Sequence, residues 1–286
     1  MSLETLETSE AHDPPPEEVQ AARAKADAKR ADAIAARIDA AKSTPPSASR
    51  SWDARDALDA CERLFRDHPG SLIRERCRDE IFTPSKGDDD GSSSEHVRDL
   101  VYGEFGFMSL VALFRKYSDQ IPPRAVVADL GSGVGRALFA AACLRPDIAR
   151  CVGVEKLRGL HELASEVRAL YDAELAPMLS ATRSPKVELH RGDFLHGAEW
   201  RGADVVLVNS AIFRDELFDA TEARAAEVLG AGALVVTLRR GFRDCGREGA
   251  CWELLEATER RQSWGMSTVY VHRRTRNSPG RTGIED

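Results

Sequence analysis

The stretch that decides the fold is Val126-Val-Ala-Asp-Leu-Gly-Ser-Gly-Val-Gly-Arg-Ala-Leu-Phe-Ala-Ala-Ala-Cys-Leu144. A short apolar run, Val126–Leu130, precedes a glycine-rich turn, and an alanine-rich segment from Val134 to Leu144 follows the turn. A buried strand, a glycine turn and a helix form the unit from which parallel α/β sheets are built. The pattern therefore predicts a strand, a ligand-binding turn and a helix.

The same alternation continues along the chain. Further strands are predicted at Cys151–Glu155, Val187–His190, Asp204–Asn209 and Ala233–Leu238, helices at about Leu157–Leu175 and Asp215–Leu229, and a closing antiparallel pair at Cys251–Glu256 and Ser267–Arg273. Alternating strands and helices indicate a doubly wound, mostly parallel sheet. We therefore predict the α/β class with a seven-stranded sheet, the arrangement of class I methyltransferases, preceded by a small helical subdomain.

Four segments are predicted along the chain. Residues 1–50 have the composition of a disordered or partly helical mixed-charge tail, because proline-rich stretches bound a segment with few large apolar residues. Residues 51–120 show helical spacing and then a polar loop, which predicts a helical subdomain and a loop that covers a ligand. Residues 121–275 carry the sheet, and residues 276–286 are expected to be a flexible tail.

Composition limits the functional classes. The 286 residues carry a net charge of -7 and contain no apolar run of the ~18 residues that a membrane span needs. Six cysteines are far apart without a Cys-x-x-Cys pair, so neither a zinc ribbon nor a disulfide framework is indicated. We expect no metal, no membrane partner, and a nuclear location, with the cytoplasm as the alternative; the oligomeric state is left open.

The glycine turn favours an adenosyl ligand over a dinucleotide. Asp129 precedes Gly131 and Gly133, and Arg136 stands where a dinucleotide fingerprint needs its third glycine. A carboxylate suits the cationic amino acid end of S-adenosylmethionine better than it suits a pyrophosphate. Glu155, at the end of the second strand, can accept both ribose hydroxyls. The turn therefore predicts S-adenosylmethionine as the cofactor.

A third strand end completes this prediction. Asp193 follows the third strand and can accept a hydrogen bond from the adenine amino group, while the ring of Phe194 offers an aromatic face. Each signal alone is weak. Their order along the chain and their places at successive strand ends predict the cofactor site.

The motifs together resemble a known family. Val101-Tyr-Gly-Glu104, the 129–135 glycine motif, Gly153-Val-Glu155, Arg191-Gly-Asp-Phe-Leu195 and Val208-Asn209 look like those of the DOT-one (disruptor of telomeric silencing) histone lysine methyltransferases. The resemblance covers about residues 95–275. It implies a non-SET enzyme that methylates lysine in the globular core of histone H-three within nucleosomes.

The resemblance also implies residue roles. Tyr102 and Glu104 would belong to a loop over the methionine part of the cofactor. The residues that match the family's cofactor ligands are Asp129, Gly131, Gly133, Glu155, Asp193 and Phe194. Asn209 would lie where the methyl group meets the amine and would contact the cofactor as well, and Trp264 and Tyr270 would be walls of the lysine channel.

The chain departs from the family on the acceptor side. Phe105, Ser210, Ala211-Ile212 and Arg214-Asp215 replace other residues of the family pattern. Two alternatives therefore stay open. The first is a class I methyltransferase that acts on a non-histone protein or a small molecule, and the second is a non-catalytic module that binds the cofactor or chromatin.

The carboxyl-terminal region is the basic end of the protein. Residues 237–286 carry 10 arginines and 7 acids, a net charge of +3. Such a region can contact nucleosomal DNA or an acidic histone surface. The alternative is a solvated rim beside the sheet. The arginines that we expect to supply this contact are Arg239, Arg240, Arg243, Arg260, Arg261, Arg273, Arg274 and Arg276.

Overall fold

Seven strands form one sheet in a computed structural model that describes residues 17–43, 52–82, 103–179, 184–245 and 250–275. The strands are β1 (Val126–Leu130), β2 (Arg150–Glu155), β3 (Lys186–Arg191), β4 (Val205–Val208), β5 (Leu234–Leu238), β6 (Trp252–Gln262) and β7 (Gly265–Arg274). Their order across the sheet is β3-β2-β1-β4-β5-β7-β6. The predicted α/β class with seven strands is confirmed.

The sheet is mixed. Strands β1 to β5 pair in parallel, and β7 pairs antiparallel with both β5 and β6. The chain leaves β1 toward β2 on one side and later returns to β4 on the other. Ligands of such sheets bind in the crevice at this reversal, beyond the carboxyl ends of the strands. The fold therefore places a crevice at the end of β1.

The closing pair is longer than its apolar pattern predicted. β6 continues from Glu256 to Gln262 through mostly charged and polar residues, because it is the edge strand of the sheet and much of its length is exposed. Edge strands commonly carry charged side chains, which leave no apolar signal in the sequence. The extension brings the tip of this hairpin to the segment around Glu104.

Eight α-helices lie in the described ranges. They are α1 (Glu17–Ser43), α2 (Ala54–Leu64), α3 (Gly70–Phe82), α4 (Phe107–Lys116), α5 (Arg136–Leu144), α6 (Arg158–Leu170), α7 (Ala176–Leu179) and α8 (Asp215–Val228). None of the described helices is long and apolar enough to span a membrane. Tyr171–Leu175, a π-helical turn, joins α6 to α7 within the segment predicted as one helix.

The helices before the sheet share its core. Leu64 and Phe65 from the α2 region and Ile73 from α3 are buried in the same apolar cluster as residues of α5 and α6. The Phe65 ring lies 5.8 Å from that of Phe139 in α5. Because one continuous core joins these helices to the sheet, a separate helical subdomain is not confirmed.

Helix α1 packs on the rest of the protein, although the composition of residues 1–50 predicted a disordered or partly helical tail. Its Arg30 contacts Glu166 of α6 at 3.0 Å, and Arg37 contacts Glu174 at 2.8 Å and Asp67 at 2.6 Å. Ile34, on the same face, is buried. The helix is therefore held by ion pairs on either side of one apolar contact. A pattern based on apolar spacing could not detect this packing.

We predict that Arg37→Ala lowers the free energy of unfolding by about 1 to 3 kcal/mol, because it removes the nearest ion-pair partner of two partly buried carboxylates, Glu174 and Asp67. The Arg37 side chain is only 12% exposed, whereas Lys42 in the same helix is 69% exposed and pairs with an exposed Asp39. Lys42→Ala is therefore the matched control and should leave stability unchanged. Chemical denaturation measures both; equal effects would contradict the anchoring role of Arg37.

Candidate functional site

A cavity of about 430 Å³ opens at the carboxyl ends of β1, β2 and β4. Its lining includes polar and apolar residues from five loops and from α6 and α8. The residues are Gly103, Leu130, Gly131, Gly133, Glu155, Lys156, Leu157, Leu160, Gly192, Asp193, Phe194, Leu195, His196, Asn209, Ile212, Phe213, Arg214, Glu216, Leu217 and Ala220. The cavity has the size of a small-molecule site with a few polar groups on an apolar wall.

The glycine turn forms one wall of this cavity. Gly131 has a φ of 73°, and the space where a Cβ would stand holds no described atom within 4 Å. Gly135, with a φ of 83°, starts α5, and a Cβ there would lie 2.9 Å from the Phe139 ring. Both conformations favour glycine. The turn thus lets a ligand approach the backbone and lets α5 pack tightly.

Glu155 joins the two loops beside the cavity. Its carboxylate accepts hydrogen bonds from the N–H of Gly133 at 2.7 Å and from that of Leu157 at 2.7 Å. Burial raises the pKa of Glu155, and these two backbone donors partly offset the increase. A carboxylate oxygen can accept more than one hydrogen bond, so Glu155 retains capacity for hydroxyl groups of a ligand.

Asp129 is the most unusual acid of the site. Burial and the nearby charge of Glu155 raise its pKa well above the usual value. Asp129 is buried, and no described residue forms a hydrogen bond with its carboxylate; the nearby Ser132 hydroxyl is buried and unpaired. A buried acid without a partner is typical of a ligand site, because a cationic ligand group would satisfy it. These residues fit a ligand with a positive amino group.

Aromatic rings stand at the other end of the cavity. Phe194 lies parallel to Phe213, with ring centroids 6.2 Å apart and an angle of 11°. Asp193 accepts the N–H of Leu195 at 2.9 Å, and Lys156 lies 3.6 Å from its other oxygen. Asp193 and Phe194 therefore both lie at the cavity, with a carboxylate and an aromatic ring next to each other.

Asn209 holds the segment that covers the cavity. Its side-chain Nδ2 donates to the carbonyl oxygen of Gly103 at 2.8 Å. The exposed indole of Trp264 lies on the same glycine, because a Cβ there would stand 2.8 Å from the indole and 3.3 Å from Asn209 Nδ2. The structure therefore brings together Asn209 and Trp264, which the sequence had placed in one channel.

The tip of the β6–β7 hairpin fixes this covering segment. The N–H of Glu104 donates to the Ser263 hydroxyl at 3.0 Å, and the N–H of Gly106 donates to Gln262 Oε1 at 2.7 Å. On the other side, Glu104 pairs with Arg136 at 2.7 Å. The covering segment is thus held from the hairpin, from α5 and from the end of β4.

The remaining predicted site residues are placed differently. Tyr102 lies outside the described residues. Tyr270, on β7, pairs with Thr237 of β5 and stacks on His272 at 6.3 Å, and it is not one of the residues that line the cavity. Its prediction as a channel wall therefore has no support from the described geometry.

The basic carboxyl-terminal region is partly internal. Arg274 is 1% exposed and donates to the carbonyl oxygens of Cys251 and Ala226, so its expected role as a surface contact is wrong. Arg273 pairs with Glu253 at 2.6 Å. Arg276 lies outside the described residues. Arg261, on β6, is exposed.

The sequence patterns did not identify two residues that hold the covering segment, Gln262 and Arg136. Gln262 stands directly before the Ser-Trp pair, and its contact partner Gly106 lies 156 residues away. Arg136 was noted only as a departure from the dinucleotide pattern, whereas it holds Glu104. No local pattern signals either partner.

Among the described residues, no group of three or more His, Cys, Asp or Glu could hold a metal ion.

A mixed seven-stranded sheet of this order, with a cavity at its reversal point, is the arrangement of the class I methyltransferase fold. Residues 92–247, more than half of the chain, match the family described as "Histone methylation protein DOT1". The chain belongs to this family, as its motifs predicted. No curated protein matches it.

Solved structures show only a distant likeness. The rRNA methyltransferase aviRa from Streptomyces viridochromogenes has 15% identity and a TM-score of 0.47, and the alignment covers 60% of this chain and 86% of that chain. The magnesium protoporphyrin IX methyltransferase from Synechocystis PCC 6803, solved with bound SAM, has 13% identity and a TM-score of 0.43, with 80% and 100% covered.

We predict that Asp129→Asn makes the ligand-free protein more stable relative to wild type as pH rises above 3.8, the usual Asp pKa. The carboxyl group keeps its proton in the native state but ionises in the unfolded state, so the stability of the wild type falls as pH rises. Asparagine does not ionise and removes this dependence. Calorimetric Tm values between pH 4 and 8 measure the difference.

Asp147→Asn is the matched control of opposite sign. A hydrogen bond from Arg145 lowers the pKa of Asp147, so its charged form stabilises the native state above pH 3.8 and this contribution is lost as pH falls. The asparagine variant should therefore lose stability at neutral pH. The same pH trend in both variants would contradict the assignment of Asp129 as a buried acid with a raised pKa.

Proposed function

We propose that this protein is an S-adenosylmethionine-dependent lysine N-methyltransferase whose acceptor is a histone lysine in nucleosomes, in the globular core of histone H-three. Membership of the DOT1 histone methylation family supports the reaction class and the acceptor. The observation that carries the cofactor assignment is the buried pair of acids beside the glycine turn. Among the described residues none forms a hydrogen bond with the buried Asp129 carboxylate, and Glu155 lines the cavity.

The residues present fit each part of this cofactor. Asp129 and the Gly131 turn would hold the amino acid end, and Glu155 would accept hydrogen bonds from the ribose hydroxyls. Asp193 and Phe194 would hold the adenine. When bound, S-adenosylmethionine supplies an electrophilic methyl group on a sulfonium. The protein would position the two reactants and exclude water from them. In-line displacement needs neither a metal nor a covalent nucleophile.

The acceptor side of the site needs an uncharged amine. A lysine amine has a reference pKa of about 10.4, and a desolvated channel with a nearby cation favours loss of its proton. Asn209, between the cavity and Gly103, can position the amine without a charge. The indole of Trp264 packs on the same glycine, next to Asn209.

We further propose that the basic carboxyl-terminal region contacts nucleosomal DNA or acidic histone surface and that the protein acts in the nucleus. Arg261 supports the contact, because it is exposed near the hairpin tip that holds the covering segment. Arg274 is buried and is therefore not part of this proposed contact.

A second acceptor class is favoured by one observation. The loop after β4, which carries Ile212 and Phe213 into the cavity, differs in sequence from the family pattern and includes Ser210, which bonds to the backbone of β5. A non-histone protein or a small molecule is therefore the alternative acceptor.

The proposed function is tested with labelled S-adenosylmethionine and three acceptors: intact nucleosomes, free histones and a cell extract. We expect methyllysine on histone H-three by mass spectrometry, with nucleosomes the better substrate and activity decreasing as salt increases. Calorimetric titration should show binding of S-adenosylmethionine but not of NAD. Label found only on a non-histone component would support the alternative acceptor; binding without any transfer would support a non-catalytic module.

We predict that Asn209→Ala lowers the turnover number about 10²- to 10³-fold with little change in cofactor affinity, since it removes one positioned polar group next to the reacting atoms. Ser263→Ala is the matched control. It loosens the covering segment through Glu104, and Ser263 does not line the cavity. Steady-state kinetics separate the two: an equal loss in both variants would mean that Asn209 acts only by holding Gly103.

A further inference from the structure

The loop between β4 and α8 forms the acceptor side of the cavity. Asn209, Ile212, Phe213 and Arg214 of this loop line the cavity, and Phe213 also stacks on Phe194. The shape of this wall therefore depends on whatever fixes the loop backbone.

The contacts that fix this backbone come from the two arginines after β5. Arg239 adopts a φ of 73°, which is uncommon for a residue with a side chain. Its Nη1 donates to the carbonyl oxygen of Ala211 at 3.0 Å. Arg240 Nη2 donates to the carbonyl oxygen of Phe213 at 2.8 Å. Two guanidinium groups thus bind two carbonyl groups of one loop.

Arg240 is more firmly held than its neighbour. It forms an ion pair with Asp215, the first residue of α8, and its guanidinium lies 4.4 Å from the ring centroid of the buried Phe218. Its side chain is 29% exposed. A planar guanidinium can stack on an aromatic ring while it donates to two acceptors, which a lysine ammonium cannot do with the same geometry.

The backbone of Arg240 is fixed as well. The buried Thr237 hydroxyl donates to the Arg240 carbonyl oxygen at 2.7 Å. In the neighbouring turn, the Ser210 hydroxyl bonds to both the N–H and the carbonyl of Leu238. The carboxyl-terminal end of β5 therefore holds both the arginine and the acceptor loop.

We propose that Arg240 is a positioning residue that sets the conformation of the acceptor loop and so determines which acceptor the cavity takes. It acts through the carbonyl of Phe213 and the carboxylate of Asp215, not by contact with the acceptor. This role rests on the proposed methyl transfer for its effect on activity. It differs from the docking role expected for this arginine from the sequence, because the guanidinium is directed to the protein's own loop.

The first measurement is hydrogen exchange of the full chain, which needs no acceptor. In Arg240→Ala we expect the amides of residues 210–216 to exchange at least about 10-fold faster, and in Arg240→Lys most of this increase should remain. Arg243→Ala is the matched control: Arg243 also contacts Asp215, at 3.3 Å, but bonds to no carbonyl of the loop in the described structure, so exchange there should be unchanged. Unchanged exchange of β1 shows that each variant is folded.

The second measurement is methylation of nucleosomes by the same variants at several salt concentrations. We expect kcat/KM to fall about 10-fold or more in Arg240→Ala and Arg240→Lys, with the wild-type salt dependence and S-adenosylmethionine affinity retained. A flattened salt dependence, or full activity in Arg240→Lys, would mean that Arg240 docks the substrate by charge and would overturn the proposal. No methylation by the wild type would refute the proposed function, whereas unchanged loop exchange in Arg240→Ala would refute this inference.

Discussion

The carboxylate of Glu155 is the constraint on which the site depends. It accepts the N–H groups of Gly133 and Leu157, so the loop after β1 and the loop after β2 are held to one anion in a buried position. Burial of a charge is costly unless hydrogen bonds compensate it. Here the compensation comes from backbone donors that cannot be changed by substitution of a side chain. Asp129, buried next to this carboxylate, receives no such hydrogen bond from the described residues.

The acceptor half is built on a different principle. The cofactor half is formed by loops at the ends of neighbouring parallel strands, whereas the acceptor half is assembled from distant parts of the chain. The hairpin tip holds the segment from Gly103 to Gly106, and the arginines after β5 hold the loop before α8. Most of these contacts use backbone groups of the held loop. The loop sequence can therefore change without loss of its support, which accounts for a cavity wall whose residues depart from the family pattern.

Much of the fold and the cofactor half could be predicted from the sequence because their signals are local. The strand at Val126–Leu130, the turn and α5 lie within one continuous stretch, and Glu155 and Asp193 are marked by their places after apolar strands. The packing of α1 was missed because ion pairs with α6 replace an apolar stripe. The length of β6 was missed because its second half is exposed. From the sequence, Arg240 was interpreted as part of a basic surface, because no residue near it in the sequence identifies Phe213 as its partner.

The hairpin contacts also determine when the site can form during synthesis. Gly106 and Gln262 are separated by 156 residues, and Glu104 and Ser263 by 159. Contacts between residues so far apart in the sequence form late, because the entropic cost of closing the long chain between them must be met first. A nascent chain that ends before β6 already contains the glycine turn and Glu155. It lacks the hairpin that holds the covering segment in place. The hairpin must therefore be synthesised before the segment from Gly103 to Gly106 can be held at the cavity.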